Sequence, residues 1–384
     1  MFGKPFTLFK LFGFEIRIDL SWIIILMLMI WSLSQGVFPF YFKGLTPSTY
    51  WWMGIFGALG LFFSIIIHEL LHSLVARRFG MTIRGITLFI FGGVAEMEEE
   101  PTGAKAEFYM ALAGPVTSIV LGLSFYGIYL WMRWGGLSMS ITGVFGYLGV
   151  INWALAGFNL IPAFPLDGGR ILRSLLWWRR NNLQWATRIA SRIGEIFGFV
   201  LIFLGIINVF RGAFVGGIWL FLIGMFLQNA SQISMQRLMI SRALKGETVR
   251  RFMKPDPITI TESMTIKEVV EEYIYRYHYK MFPVVQEGKL VGCVTTRDVK
   301  EIPREEWNIR TVRDISRSCS PNNTIHPDTD ATQALSVMNR TGNSRLMVVE
   351  NNRLIGVITL KDLLQFFSLK MELEGENFKK KSNA

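Results

Sequence analysis

The segment His68-Glu69-Leu70-Leu71-His72 has the residue types and spacing of a zinc site with an adjacent base. Two histidines four positions apart lie on one face of a helix and can bind one zinc ion. The glutamate between them is close enough to that face to accept a proton from a water at the metal. Residues 51–67, which precede the motif, carry no charge. Because an ionisable residue in an apolar span indicates function, we predict His68 and His72 as metal ligands and Glu69 as a catalytic base.

Two histidines do not complete a catalytic zinc site, which usually has three protein ligands and one position for water. The other histidines lie beyond residue 240, in a stretch of ordinary globular composition, so the third ligand should be a carboxylate of the membrane part. Asp167 and Glu195 are the candidates near the later spans. Asp167 follows a charge-free run and stands among the prolines and glycines of residues 159–169, which favour irregular backbone around a site. The prediction is therefore Asp167.

The composition divides the chain at about residue 240. Residues 1–240 contain long uncharged stretches, whereas residues 241–384 have the mixed charge of a soluble domain. We expect a polytopic α-helical membrane domain followed by a soluble α/β module. The net charge of +11 does not indicate nucleic acid, because no recognition motif accompanies it. Much of the basic excess flanks apolar spans, where it sets topology and contacts anionic membrane lipid.

Six stretches are apolar enough to cross a membrane as helices of about 20 residues. Positive charge is concentrated on the segments that lie inside if the N-terminus is inside, which predicts a multi-pass protein with both termini cytoplasmic. Charged residues precede the first apolar run and no small-residue cleavage site follows it, so no removable signal peptide is expected. Arg77 and Arg78 mark the cytoplasmic end of the second span, so His68 and His72 lie roughly 13 Å and 8 Å inside it. The metal site is thus predicted near the cytoplasmic face. The six stretches are roughly 20–38, 51–76, 108–131, 138–162, 194–210 and 214–234.

The segment from Ile86 to Ala95 is too short to span a membrane as a helix. Its β-rich composition and the paired glycines Gly92 and Gly93 predict a strand and a turn. Such backbone at membrane depth requires neighbouring protein. We therefore expect a short membrane-dipping β element between the second and third spans.

An internal repeat with an offset of 64 residues follows the membrane part, since VGCVTTRD at 291–298 resembles IGVITLKD at 355–362. The copies cover about 247–305 and 306–370, with a polar tail at 371–384. Each copy resembles a CBS domain, and the pair resembles the tandem CBS module that binds adenosine nucleotides. The resemblance implies that ATP, ADP or AMP contacts Thr295, Asp298, Thr359 and Asp362.

Two points about this module stay open. Asp298 and Asp362 could instead serve only as surface helix caps. CBS pairs also often associate, so a homodimer through these domains is expected.

The metal motif and the segment Asn159–Gly169 together resemble the site-2 protease family of intramembrane metalloproteases. The segments Phe91-Gly92-Gly93 and Ala113-Gly114-Pro115 also resemble that family, and the likeness runs from about residue 3 to residue 173. It implies one zinc per chain and cleavage of a transmembrane protein substrate within or near the bilayer.

The same resemblance assigns roles outside the metal ligands. It implies that Asn159, Gly92 and Gly93 help to hold the substrate or its oxyanion, and that the strand Ile86–Phe91 pairs with the unwound substrate. The residues alone leave other interpretations open. An interhelical hydrogen bond would explain Asn159 equally well, and the glycines could simply form a turn.

A different class of function is a transporter or channel regulated by the CBS pair, with His68, Glu69 and His72 as an ion relay. No inverted repeat is visible in the six spans, and the imidazole and carboxylate ligands suit zinc better than a passing ion. A catalytically inactive relative would be indicated by loss of a ligand or of Glu69, and neither is lost. The sequence therefore favours an intramembrane zinc protease.

Overall fold

The structure, a computed structural model, describes residues 6–90, 92–97 and 101–381. The chain divides into two compact units, Met1–Gln236 and Arg237–Ala384. Long helices and one sheet form the first unit, and the second contains two repeats with a β-hairpin each.

Long helices dominate the described part of the first unit. Six of them, all except α5, are long and apolar enough to cross a membrane, which confirms the predicted polytopic helical domain. Helix α1 includes a π-helical stretch at Leu33–Val37. The helices are α1 Leu20–Tyr41, α2 Pro47–Arg78, α3 Ala104–Trp134, α4 Met139–Asn159, α5 Asp167–Arg180, α6 Leu183–Phe210 and α7 Phe214–Leu244.

Local chemistry fixes the limits of α2, the helix that contains the metal motif. Thr46 caps its N-terminus by accepting a hydrogen bond from the backbone of Thr49 at 3.3 Å, and Pro47 occupies its first turn. Arg77 and Arg78 lie in its last turn, where cations interact favourably with the helix dipole. The motif is thus in the C-terminal third of a continuous helix.

A four-stranded sheet packs beside the metal motif. Strands β1 (Phe6–Leu11) and β2 (Phe14–Ile18) form an N-terminal hairpin that the sequence did not predict. Strand β3 (Ile83–Phe89) pairs parallel with β2 and antiparallel with β4 (Gly92–Met97), in the order β1-β2-β3-β4. Leu70, from within the metal motif, is buried against this sheet in a core with Phe14, Ile16, Ile86 and Leu88.

The predicted pairing of substrate with the strand Ile86–Phe91 is wrong for residues 86–89. Both edges of β3 are already hydrogen-bonded, one to β2 and one to β4. Phe91 lies outside the described residues. In the described sheet, β4 is the terminal strand on this side.

The chain between α4 and α5 is irregular, as the prolines and glycines predict. Helix α4 ends at Asn159, and Asp167 is the first residue of α5 rather than the end of a span. A side chain at Gly168 would overlap with the carbonyl of Leu160, and one at Gly169 with the backbone of Phe164. The two glycines therefore let the first turn of α5 pack directly on the preceding loop.

The second unit contains the predicted CBS pair. The first hairpin joins β6 (Met281–Gln286) to β7 (Lys289–Thr295), and the second joins β10 (Arg345–Glu350) to β11 (Arg353–Thr359). Each repeat has its own apolar core, one around Val284 and the other around Val348.

Short strands are exchanged between the repeats. Strand β5 (Lys254–Pro255) precedes the first hairpin but pairs with β11 of the second, and β8 (Arg317–Ser318) precedes the second hairpin but pairs with β7 of the first. Strand β9 (Thr324–Ile325) pairs parallel with β10. The helical segments are Val249–Arg251, Ile266–Glu268, Val269–Ile274, Tyr275–Tyr277, Thr296–Lys300, Arg304–Glu306, Val312–Ile315, Ala331–Thr341 and Leu360–Lys381. The last of these includes most of the predicted polar tail.

Candidate metal centre

The three predicted metal ligands converge inside the membrane unit. The Nε2 atoms of His68 and His72 are 3.1 Å apart, and they lie 3.1 Å and 3.2 Å from Oδ2 of Asp167. Both histidines are buried and Asp167 is nearly so. At a zinc–nitrogen distance of about 2.0 Å, the edges of a tetrahedron are about 3.3 Å long. The three atoms therefore have the mutual spacing of zinc ligands.

The hydrogen bonds on the far side of each ring direct both Nε2 atoms to this point. Nδ1 of His72 lies 2.6 Å from the carbonyl oxygen of Met110, which can only accept, so a neutral His72 donates through Nδ1 and presents a lone pair at Nε2. Nδ1 of His68 lies 2.8 Å from Oγ of Ser118. Two imidazole lone pairs and one carboxylate oxygen facing each other are unfavourable unless a cation lies among them. The donor set thus fits a zinc ion.

One face of α3 forms the wall behind the two histidines. Met110, Gly114 and Ser118 are spaced four residues apart, so they lie on the same side of the helix. A side chain at Gly114 would overlap with Nε2 of both His68 and His72. Only a glycine allows α3 to approach the rings this closely.

Glu69 lies beside the three ligands and against β4. A side chain at Gly93 would come within 2.6 Å of Cγ of Glu69, so this glycine provides the space for the glutamate. Gly92 has φ of +128°, a conformation that favours glycine at the turn between β3 and β4. Asn159 is the half-buried last residue of α4, at the start of the loop to Asp167.

Sequence reasoning missed several polar residues that support the site. Ser118 and the Met110 carbonyl are described above. Asn152, fully buried on α4, donates from Nδ2 to Oγ of Ser64 at 3.1 Å, one helical turn before His68. The four-residue spacing of Ser118 from Gly114 and of Ser64 from His68 is a weak sequence signal for these side chains, and the Met110 carbonyl has none.

The four predicted nucleotide residues form two separate helix caps in the second unit. Oδ2 of Asp298 accepts hydrogen bonds from the backbone and hydroxyl of Thr295, and Asp362 has the same relation to Thr359. The caps differ at the other carboxylate oxygen. Oδ1 of Asp298 lies 2.7 Å and 2.5 Å from two nitrogens of Arg317, whereas Oδ1 of Asp362 is 3.5 Å from the exposed Lys254.

A second group of possible metal ligands lies on the surface of the CBS unit. His326, Asp328 and Glu350 are close together there. Arg250 already lies 3.2 Å from the first carboxylate and 2.6 Å from the second, and these contacts raise the pKa of its guanidinium. Both carboxylates thus already share an arginine partner, and this surface group is not the metal site proposed for the protein.

The fold and this site define an integral membrane metalloprotease with a CBS pair, and comparison with known proteins agrees. Residues 56–135 and 135–205 match the model of peptidase family M50, and residues 249–305 and 312–369 match the CBS domain model. The chain is 30% identical to zinc metalloprotease MJ0392 of Methanocaldococcus jannaschii, over 96% of this chain and 97% of that protein. It is 31% identical to Rip3 of Mycobacterium tuberculosis, over 94% and 92%.

The chain belongs to peptidase family M50. A solved structure, the site-2 protease from M. jannaschii, covers 60% of this chain and 95% of its own, with 28% identity and a TM-score of 0.43. The family match and the two relatives, which align with nearly the whole chain, make it a site-2-protease-like zinc metalloprotease, as its motifs predict. The transporter interpretation has no support from this family.

Proposed function

We propose that this protein is an intramembrane zinc endopeptidase that hydrolyses a peptide bond within or near a transmembrane segment of a protein substrate. The convergence of His68, His72 and Asp167, with Glu69 adjacent, carries this proposal. All four side chains belong to a unit made of membrane-spanning helices. A substrate that reaches them must itself be in or next to the bilayer.

Each residue has a defined role in the reaction. Nε2 of His68 and His72 and the carboxylate of Asp167 would hold the zinc ion, which would supply the Lewis acidity for activating water and polarising the scissile carbonyl. Glu69 accepts the proton of the attacking water and delivers it to the leaving amine. The Ser118 hydroxyl and the Met110 carbonyl hold the two imidazole rings in the orientation that leaves Nε2 free.

The substrate must be extended where it is cut, because a helical peptide bond is shielded. We propose that it adds to the outer edge of β4, the terminal strand, which contacts Glu69 through Gly93. Strand addition would satisfy the backbone groups of the unwound substrate inside the membrane. Asn159 and Gly92 are proposed to border the same cleft. An extended peptide inhibitor should lose potency on backbone N-methylation, and equal potency of the methylated peptide would contradict strand addition.

The proposed orientation puts both termini in the cytoplasm and the metal site near the cytoplasmic face. Arg77 and Arg78 at the end of α2 support it, since basic residues favour that side. Water then reaches the site over a short path.

We propose that the CBS pair binds an adenine nucleotide and modulates proteolysis, and that it associates into a homodimer. The two caps are not equivalent in this respect. Both oxygens of Asp298 are occupied, one of them by Arg317, whereas Oδ1 of Asp362 is 3.5 Å from an exposed lysine. A ribose that donates hydrogen bonds to a carboxylate therefore has a more accessible acceptor at Asp362 than at Asp298. Light scattering of the purified protein tests the dimer.

Cleavage of a transmembrane reporter by the purified full-length protein, with bound zinc measured alongside, tests the protease. Glu69→Gln should retain zinc and lose activity, because only the base is removed. Asp167→Asn should lose both. Glu195→Gln is the matched control, since Glu195 is the other carboxylate near these spans, and it should keep both. Neither zinc nor cleavage in folded wild-type protein would overturn the proposal, and loss of zinc in Glu195→Gln would reassign the third ligand.

A further inference from the structure

A buried ion pair joins α3 to α5 close to the metal site. Glu107 on α3 is fully buried and Arg173 on α5 is 3% exposed. Nε of Arg173 lies 2.7 Å from Oε1 of Glu107, and its Nη2 contacts the same oxygen. Nε of Arg170 is 3.8 Å from that oxygen. The cost of desolvating two charges can exceed the energy gained by pairing them, so stability alone does not explain a buried ion pair. Ionisable groups inside a membrane unit indicate function.

Both partners are on the elements that carry the metal site. Glu107 is one turn before Met110, whose carbonyl orients His72, and it continues the face of α3 that holds Gly114. Arg173 is on the short helix that begins with Asp167. Its guanidinium also lies 5.1 Å from the ring of Phe164, in the loop just before Asp167. The pair therefore links the helix behind the histidines to the helix and loop that position the third ligand.

The position of Asp167 needs such a link. Its carboxylate must lie 3.1 and 3.2 Å from two imidazole nitrogens, a spacing that serves a metal only if the backbone holds it there. Asp167 starts a helix of only 14 residues that follows an irregular loop. Apolar contacts are not directional, whereas an arginine that binds one carboxylate through two nitrogens fixes distance and orientation.

We propose that Glu107 and Arg173 form a positioning pair that holds Asp167 at ligand distance from His68 and His72. The proposal rests on the ligand set of the proposed protease. Neither residue touches the metal or the substrate, so both act through Asp167. Removing the charge of Glu107 lets α5 shift on α3 and loosens the site.

The test compares metal binding by the full-length protein in detergent. Wild type, Glu107→Gln and the control Glu195→Gln are titrated with zinc against a chromophoric chelator. Substitution of such supporting residues typically weakens metal binding by about 10–100-fold, and that loss is expected for Glu107→Gln alone. Cobalt is bound in place of zinc in the same three proteins. Its visible spectrum, which depends on ligand geometry, should change only in Glu107→Gln, and a purely structural role would leave it unchanged in folded protein.

A second variant controls for misfolding of Glu107→Gln, in which Arg173 loses its buried carboxylate partner. Glu107→Gln combined with Arg173→Gln removes both charges, a change that buried pairs often tolerate. Folding of each metal-free protein is measured by thermal melting. The folded double variant should bind zinc more weakly than wild type, as Glu107→Gln does. Wild-type affinity and cobalt spectrum in either folded variant would overturn the positioning role. Absence of zinc from wild type would instead overturn the ligand set itself.

Discussion

The Ser118 hydroxyl orients one of the two imidazole rings at the candidate metal centre. It lies 2.8 Å from Nδ1 of His68 and is fully buried on α3. We expect Ser118→Ala to weaken zinc binding by about 10-fold, because the ring can then rotate and its Nδ1 proton loses an acceptor. Chelator competition measures the affinity.

A matched control is available on the same helix. Ser124 is exposed and bonds to the carbonyl of Val120 within α3. Ser124→Ala should bind zinc like wild type. Equal affinities for both alanine variants would show that Ser118 does not orient His68.

Gly114 has a steric role that a substitution can isolate. A methyl group there would overlap with Nε2 of both His68 and His72, so Gly114→Ala should abolish zinc binding and proteolysis. Gly127 on the same helix has open space around it, and Gly127→Ala should keep both properties. Metal analysis and reporter cleavage measure the outcome. Retained zinc in Gly114→Ala would mean that α3 does not pack on the rings as described.

The sequence predicts the four central residues because their types and spacing carry the chemistry by themselves. His68 and His72 share a helical face with Glu69 beside it, and Asp167 stands out as a carboxylate after a long uncharged run. Ser118 and the Met110 carbonyl could not be predicted in this way. Serine is common in membrane helices, and a backbone carbonyl has no sequence signal, so only the packing of α3 on α2 reveals both.

At the level of elements, the spanning helices and the strand with its turn near residues 86–95 were predictable, and the order and pairing of the four-stranded sheet were not. Long apolar runs identify spans directly, although α6 begins at Leu183 because its first turns mix polar and apolar residues. The sheet depends on pairing between residues far apart in the chain, such as Glu15 with Gly85. No local sequence pattern indicates that β2 pairs with one edge of β3. The prediction that β3 binds the substrate was therefore wrong.

The two CBS repeats use equivalent elements with different cations. Arg317 on β8 pairs with Cys293, two residues before Thr295, and Lys254 on β5 pairs with Val357, two residues before Thr359. We expect the full-length protein to bind one ATP per chain, because Oδ1 of Asp362 is held only by a 3.5 Å contact with an exposed lysine, whereas Oδ1 of Asp298 is held by two nitrogens of Arg317. Calorimetric titration should show that Asp362→Asn abolishes this binding. Arg317→Ala should add a second site, since it frees Oδ1 of Asp298.

The control for this titration comes from the same unit. Asp314 caps a short helix with Thr311, and these contacts lower the pKa of its carboxyl. Asp314→Asn should bind one ATP like wild type. Two equal sites in wild type, or binding that survives Asp362→Asn, would contradict the inequivalence of the repeats. No saturable binding in any variant would remove the nucleotide from the proposed function.

At the scale of the whole molecule, the orientation in the membrane decides which side of the cell receives the cleaved product. The two cysteines of the chain offer a direct measurement, because both are in the CBS unit. Cys293 is buried, and burial raises the pKa of its thiol to about 11, so it stays protonated and unreactive. Cys319 is exposed, although partial burial also raises its pKa.

A membrane-impermeant maleimide at mildly alkaline pH should therefore label Cys319 in inside-out vesicles and not in right-side-out vesicles. Cys319→Ser is the control for residual labelling, and detergent-opened vesicles give the maximum. The proposed orientation requires this result, because the charge distribution around the spans favours a cytoplasmic C-terminal unit. Labelling in right-side-out vesicles would reverse the topology and move the metal site, whose histidines lie nine and five residues before Arg77, to the opposite face. The substrate would then be cut from the outside, and a cytoplasmic nucleotide could not reach the CBS pair.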